Sequence, residues 1–283
     1  MAPLKLIAID LDETLLRRDK TYEVARFNQV LKELRKQSVL VAIVTGNSYD
    51  KVKDYFEASI RPFLYFACDN GNYLVQNEVT LKKIGIPYER FIEIIDFIDE
   101  FKGYYPALCL GDATYERESK GVGHEILAQF NPRVQQVDSF RELPEDSLVT
   151  KIAILSQDDL DRNKALVRII NERYEDVTAV TSAENWVDIY NCQGGKGSAI
   201  RFLKERYQLK AEDCLAMGDS LNDESMMKEV HYSVAMENAD KDLVMQCRYQ
   251  IGNNNDQAVV QLMEDYQQTG SLDFMQKYRT IKI

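Results

Sequence analysis

Acidic residues with chemical potential sit near both ends of the sequence. Asp10 and Asp12 stand close to the start, and Asp219, Asn222 and Asp223 close to the end, with Thr45-Gly46 and Lys196 between them. Each group follows a short apolar run or opens an amphipathic one. Residues 4–9 lead into Asp10, residues 39–44 into Thr45, residues 63–68 into Asp69-Asn70-Gly71-Asn72, and residues 214–217 into Gly218-Asp219. Open α/β sheets present ligands beyond the carboxyl ends of their strands, so the residues at these strand ends are expected to share one edge. That convergence says more than any single motif. Carboxylates gathered in one place raise each other's pKa unless a cation intervenes. Hard oxygen ligands suit magnesium, which takes one or two carboxylates together with substrate phosphate. An ion there would let an anionic nucleophile approach an anionic substrate, and a carboxylate can act as that nucleophile through an aspartyl-phosphate.

The positioning elements follow from the hydrophobic pattern. Val24, Phe27, Val30, Leu31 and Leu34 recur at helical spacing. Val52, Tyr55 and Phe56 predict another helix, and residues 196–207 a third. Nearly continuous apolar strands alternating with such helices predict a parallel sheet covered on both faces, in its doubly wound, Rossmann-like form. The middle of the chain reads differently. Helices are expected over residues 88–98 and 159–174, and strands over 106–110, 149–155, 177–181 and 186–190. This predicts an α+β unit inserted at residues 84–190 into a core made of residues 1–83 and 191–283, with hinges near Gly85 and Gly194-Gly195.

Composition narrows the partners. The 283 residues carry 46 acidic and 35 basic side chains, a formal charge of −11. Nucleic-acid binding rests on clustered Lys and Arg, so no nucleic-acid partner is expected. No apolar run approaches the roughly 20 residues of a membrane span, and no secretion leader is read at the start. The five cysteines are scattered and form no C-x-x-C pair. That spacing fits reduced thiols in a cytoplasmic protein rather than a disulfide framework or a zinc site. His124, Arg117 and Lys120 read as solvated surface. Trp186 and the Tyr104-Tyr105 pair read as packing.

Asp10-Leu11-Asp12-Glu13-Thr14-Leu15, Thr45-Gly46, Lys196 and Gly218-Asp219-Ser220-Leu221-Asn222-Asp223 together resemble the four motifs of the haloacid dehalogenase superfamily. The insert between the second and third motifs, the Asn70-Gly71 turn and the Gly195-Lys196-Gly197 helix start are similar to its Cof-type phosphatases. The resemblance covers essentially the whole chain. It implies that Asp10 attacks phosphorus and ligates magnesium. It implies that Asp12 protonates the leaving oxygen, then activates water, and lends its backbone carbonyl to the metal. Thr45, the Gly46 amide, Lys196 and Asn222 would hold the phosphoryl group. Asp219 would ligate magnesium directly, with Asp223 supporting the metal site. Asn47 is a departure, because many relatives have Arg there, and an amide only partly replaces a guanidinium.

The expected activity is hydrolysis of a small phosphate monoester, such as a sugar phosphate or a phosphorylated cofactor, by a monomer or weak homodimer. A phosphomutase or phosphotransferase with the same nucleophile is the alternative within enzymes. A non-catalytic phosphometabolite-binding protein is the alternative outside them, although such proteins are expected to lose the nucleophile or a metal ligand. A nucleotide-binding dehydrogenase is excluded by the absence of G-x-G-x-x-G after the first strand.

Overall fold

The computed structural model describes residues 3–117, 134–183 and 185–278. An eight-stranded sheet forms the larger part. Its order is Tyr249–Gln250, Tyr232–Ala235, Cys214–Gly218, Leu6–Ile9, Leu40–Val44, Leu64–Cys68, Tyr73–Gln76 and Val79–Lys83. The first six strands run parallel. Leu6 and Ala8 pack into one apolar cluster, while Ile7 and Ile9 pack into another. The strand is thus buried on both faces, which is why its sequence is continuously apolar rather than alternating. This is the doubly wound core expected from the sequence.

The chain moves outward from Leu6–Ile9 in both directions. The strands Leu40–Val44 and Leu64–Cys68 follow on one side, and Cys214–Gly218 and its successors lie on the other. Leu6–Ile9 therefore marks the point where the winding reverses, the place where such sheets open a crevice for ligands.

Two features differ from the expectation. The sheet does not stay parallel, because Tyr73–Gln76 and Val79–Lys83 add an antiparallel hairpin at its edge. Asn77 and Glu78 form its turn, both at positive φ, as a two-residue hairpin matched to strand twist requires. The helix expected around Val52 to Phe56 breaks into a short α turn, Tyr49–Val52, and a 3-10 turn, Lys53–Tyr55. Phe56 then leaves helical geometry and packs among Tyr22, Phe27 and Phe66.

The middle of the chain builds a separate six-stranded sheet, ordered Val177–Ala183, Trp186–Asn191, Lys151–Ser156, Tyr104–Cys109, Thr114–Arg117 and Val134–Val137. Ile152, Ile154, Val187 and Ile189 enter an apolar cluster with Phe91 and Ile95 from the helix Tyr88–Ile98, and with Leu166 and Ile170 from the helix Leu160–Arg173. Side chains alternate across a strand, so Lys151, Asp188 and Tyr190 belong to the opposite face.

Arg117 pairs with Asp99. Tyr105 and Trp186 pack on a small cluster with Ala107 and Leu155. His124 and Lys120 lie outside the described residues. All five cysteines are free, four of them buried and Cys192 exposed. Among the described residues, no helix is long and apolar enough to cross a membrane.

Candidate active site

Asp10 follows the last residue of the central strand. Its backbone N–H donates to the Met217 carbonyl at 3.0 Å, tying it to the neighbouring strand. Beyond it the chain makes a wide turn, Leu11–Leu15, with Glu13 at φ 56. That turn delivers the Thr14 hydroxyl to Asp219 Oδ1 at 3.1 Å.

Lys196 opens the helix Lys196–Tyr207 and is 2% exposed. Its ammonium donates to Asp10 Oδ1 at 2.7 Å, to Asn222 Oδ1 at 3.1 Å and to Asp223 Oδ1. All three of its protons are thereby placed. Asp223 uses its other oxygen to accept from the backbone N–H groups of Asp219 and Ser220, both at 3.0 Å. It thus scaffolds the loop that carries Asp219 while it steers Lys196. A Cβ on Gly218 would lie 2.4 Å from Asp223 Oδ2, so the loop closes this tightly only with glycine.

Asp10, Asp219 and Asp223 each offer an oxygen within 4.8 Å of the others. Burial raises the Asp10 carboxyl well above the ordinary carboxylate range; Lys196 opposes that shift, while Asp223 and Asp219 add to it. Asp219 is pushed up to about 7 by burial and by Asp223. For Lys196, burial works against the charge, but Asp10 and Asp223 outweigh it and hold the ammonium above its ordinary value. Three carboxylates face one ammonium, and a divalent cation would close that imbalance. The donor set is all oxygen, so the residues fit magnesium.

The Asp12 carboxylate lies outside this cluster. Its Oδ1 accepts from Lys20 at 2.8 Å and its Oδ2 from Asn47 Nδ2 at 2.5 Å. Of the four carboxylates expected together, three fall within 4.8 Å of one another and Asp12 is not among them. Thr45 is buried at the end of Leu40–Val44, and its Oγ1 accepts from the Asn47 backbone N–H at 3.1 Å.

Asp69, Asn70 and Gly71 all take positive φ, as a tight turn requires. The turn also has partners. Asn70 Nδ2 donates to Asp188 Oδ2 at 3.0 Å, and Asp69 Oδ2 accepts from Thr150 at 2.7 Å. Sequence reasoning missed several neighbours of the site. Lys151, buried, donates to the Gly46 carbonyl at 2.8 Å and stands 3.5 Å from Asp188. The Tyr190 hydroxyl approaches the Cβ position of Gly195 to 3.7 Å. The available signal was a single charge in each of two otherwise uncharged strands, Lys151 and Asp188.

Known proteins share this architecture. Residues 7–263 match the family model of the haloacid dehalogenase-like hydrolases. The chain is 23% identical to the 5-amino-6-(5-phospho-D-ribitylamino)uracil phosphatase YbjI of Escherichia coli, over 92% of this chain and 95% of that one. It is 29% identical to the phosphatase YwpJ of Bacillus subtilis, over 85% and 92%. It is 26% identical to the pyridoxal phosphate phosphatase YbhA of Escherichia coli, over 92% and 97%. The crystal structure of SMU.1108c from Streptococcus mutans superposes with a TM-score of 0.86 at 26% identity, over 94% of this chain and all of that one. With its motifs converged on one sheet edge and a family match over nearly its whole length, the chain belongs to the haloacid dehalogenase-like hydrolases.

Proposed function

We propose that the protein is a magnesium-dependent phosphatase that hydrolyses a small phosphate monoester through an aspartyl-phosphate on Asp10. The observation that carries this reading is the buried Asp10–Lys196–Asp223 constellation beside Asp219, whose charge calls for a divalent cation. Magnesium would be held by Asp10, Asp219 and the Asp12 backbone carbonyl, with Asp223 in support. It would supply charge neutralisation for the substrate phosphate.

Lys196 holds Asp10 Oδ1, which leaves Oδ2 to attack phosphorus. The bond from Asp10 to phosphorus forms as the bond to the leaving oxygen breaks, and Asp12 gives its proton to that oxygen. Asp12 then takes a proton from the water that attacks the aspartyl-phosphate, releasing phosphate and restoring Asp10. Thr45, the Gly46 N–H, Lys196 and Asn222 hold the phosphoryl oxygens. Phosphoryl transfer asks a protein mainly for such positioning and charge stabilisation.

Residues 84–190 serve in this reading as a cap over a core of residues 1–83 and 191–283. The contacts of Lys151, Thr150 and Asp188 with the core turns support it. The relatives named for pyridoxal phosphate and for a phosphorylated uracil derivative support a sugar phosphate or phosphorylated cofactor as substrate. The free thiols suit the cytoplasm as the place of action.

Hydrolysis of p-nitrophenyl phosphate with magnesium tests the mechanism. Asp10→Asn should lower kcat by at least about a thousandfold, since the nucleophile is lost. Equal rates in variant and wild type would refute it.

A further inference from the structure

The Asn47 side chain ties together two groups with separate parts in the proposed reaction. Its Nδ2 donates to Asp12 Oδ2 at 2.5 Å and reaches Thr45 Oγ1 at 3.4 Å. Its backbone N–H donates to the same Thr45 oxygen at 3.1 Å. Its Oδ1 accepts from Lys51 Nζ at 3.0 Å. Lys51 lies in the short helix Tyr49–Val52, one turn beyond Asn47.

These partners leave the amide one orientation. A carboxylate only accepts and an ammonium only donates. With Asp12 ionised, a flipped amide would set its carbonyl against that carboxylate and its NH₂ against Lys51, repulsive on both sides. Lys51 therefore locks the amide from its carbonyl end.

The consequence falls on Thr45. A hydroxyl has one proton and two lone pairs. Both donors that approach Thr45 Oγ1 come from Asn47 and occupy its accepting side. The proton must point away from Asn47, and among the described residues no hydrogen bond takes it. Thr45 is 1% exposed, and the Gly46 amide expected at the phosphoryl group comes next in the chain.

We propose that Asn47, locked by Lys51, is a positioning residue that aims the Thr45 hydroxyl proton at a phosphoryl oxygen and holds the Asp12 carboxylate in place. The ligand oxygen selected at Thr45 is one that only accepts, as on a fully ionised phosphate monoester. The inference rests on the phosphatase reading above.

Two measurements on the intact magnesium-loaded protein test it: calorimetric affinity for inorganic phosphate, and kcat on p-nitrophenyl phosphate. Thr45→Val should weaken phosphate binding about tenfold, the effect of one lost hydrogen bond to a charged group. Asn47→Ala should weaken it too, but added to Thr45→Val it should cost less than about twofold more, because the effect runs through the hydroxyl. Asn47→Asp keeps the Lys51 contact and reverses the one to Asp12, so kcat should fall about a hundredfold. Lys51→Met should lower kcat about tenfold, with Lys51→Arg restoring most of the loss.

Wild-type kcat in Asn47→Asp, or fully multiplicative losses in the Thr45 and Asn47 pair, would overturn the proposal. Phosphate affinity does not depend on turnover. Failure of the phosphatase reading therefore shows separately, as an Asp10→Asn protein that is still active.

Discussion

Two buried lysines face carboxylates in this molecule, and their surroundings differ. Lys151 sits with Asp188 and the Gly46 carbonyl, while Asn70 occupies the other oxygen of Asp188. Asp188 is its close partner, and Asp69 adds a second buried carboxylate to its field. Lys196 faces Asp10 and Asp223, with Asp219 nearby, and acid outnumbers base. The first centre ties the second sheet to the turns at Gly46 and Asn70. The second gathers three carboxylate oxygens within 4.8 Å of one another, and in the proposed reading a further cation would balance them.

Replacing each lysine by methionine should separate the two centres. Lys196→Met should lower kcat on p-nitrophenyl phosphate by about 10²–10³, the cost of removing a charge-stabilising donor. Its lost stability should return largely with saturating magnesium, since the ion relieves the stranded carboxylates. Lys151→Met should cost about 3 kcal/mol of unfolding free energy by removing the positive partner of Asp188, which keeps only its neutral Asn70 contact. Magnesium should not restore it, and kcat should fall only about tenfold or less. Denaturant melts of both proteins with and without magnesium decide this; equal magnesium rescue would erase the distinction.

The comparison also has a pH signature. Burial pushes Asp219 up to about 7, from 3.8, and raises Asp10 in the same direction. Between those values the metal-free folded state binds more protons than the unfolded chain, so its stability falls as pH rises. Asp69, pushed up to about 6 by burial, contributes with the same sign, but it lies outside the metal cluster. In the proposed reading magnesium competes with protons at Asp219 and Asp10, and not at Asp69. The gap in melting temperature between excess magnesium and excess chelator should therefore widen from pH 5 to pH 8. A constant or shrinking gap would contradict the assignment of the metal to this cluster.

The smallest effect is expected at the turn between the two centres. Gly71 has φ +81, and a Cβ there would lie 2.8 Å from the Gly195 carbonyl oxygen. Gly71→Ala should destabilise by about 1–3 kcal/mol through strain, with KM for p-nitrophenyl phosphate nearly unchanged. A stability equal to wild type would show that the turn relaxes freely.

The legible part of this molecule was the part that breaks a pattern. Asp10, Thr45 and Asp219 end continuous apolar strands, so spacing placed them on one edge, whereas Lys196 came from the family resemblance of its motif. The hairpin of Tyr73–Gln76 and Val79–Lys83 was missed because its outer strand is largely exposed and carries little apolar signal. Lys151 and Asp188 were missed for another reason. Their partners, Gly46 and Asn70, lie far away in the sequence, and no local periodicity encodes a pairing across two sheets. Asn47 was read as a loss relative to the family. Beside Lys51, Asp12 and Thr45 it has a geometry of its own, which only the folded chain displays.

Asp188 and Lys196 belong to one short stretch of chain that runs from strand end through a turn into helix. Asn72 grips that turn from the core, accepting from the Gly195 N–H at 3.1 Å, and a Cβ on Gly194 would lie only 1.9 Å from its Oδ1. Added length here would displace both buried lysine centres at once, whereas the exposed tip at Asn77 and Glu78 bears on neither. Divergence within this lineage should accordingly leave residues 188–196 at constant length and collect insertions at hairpin tips.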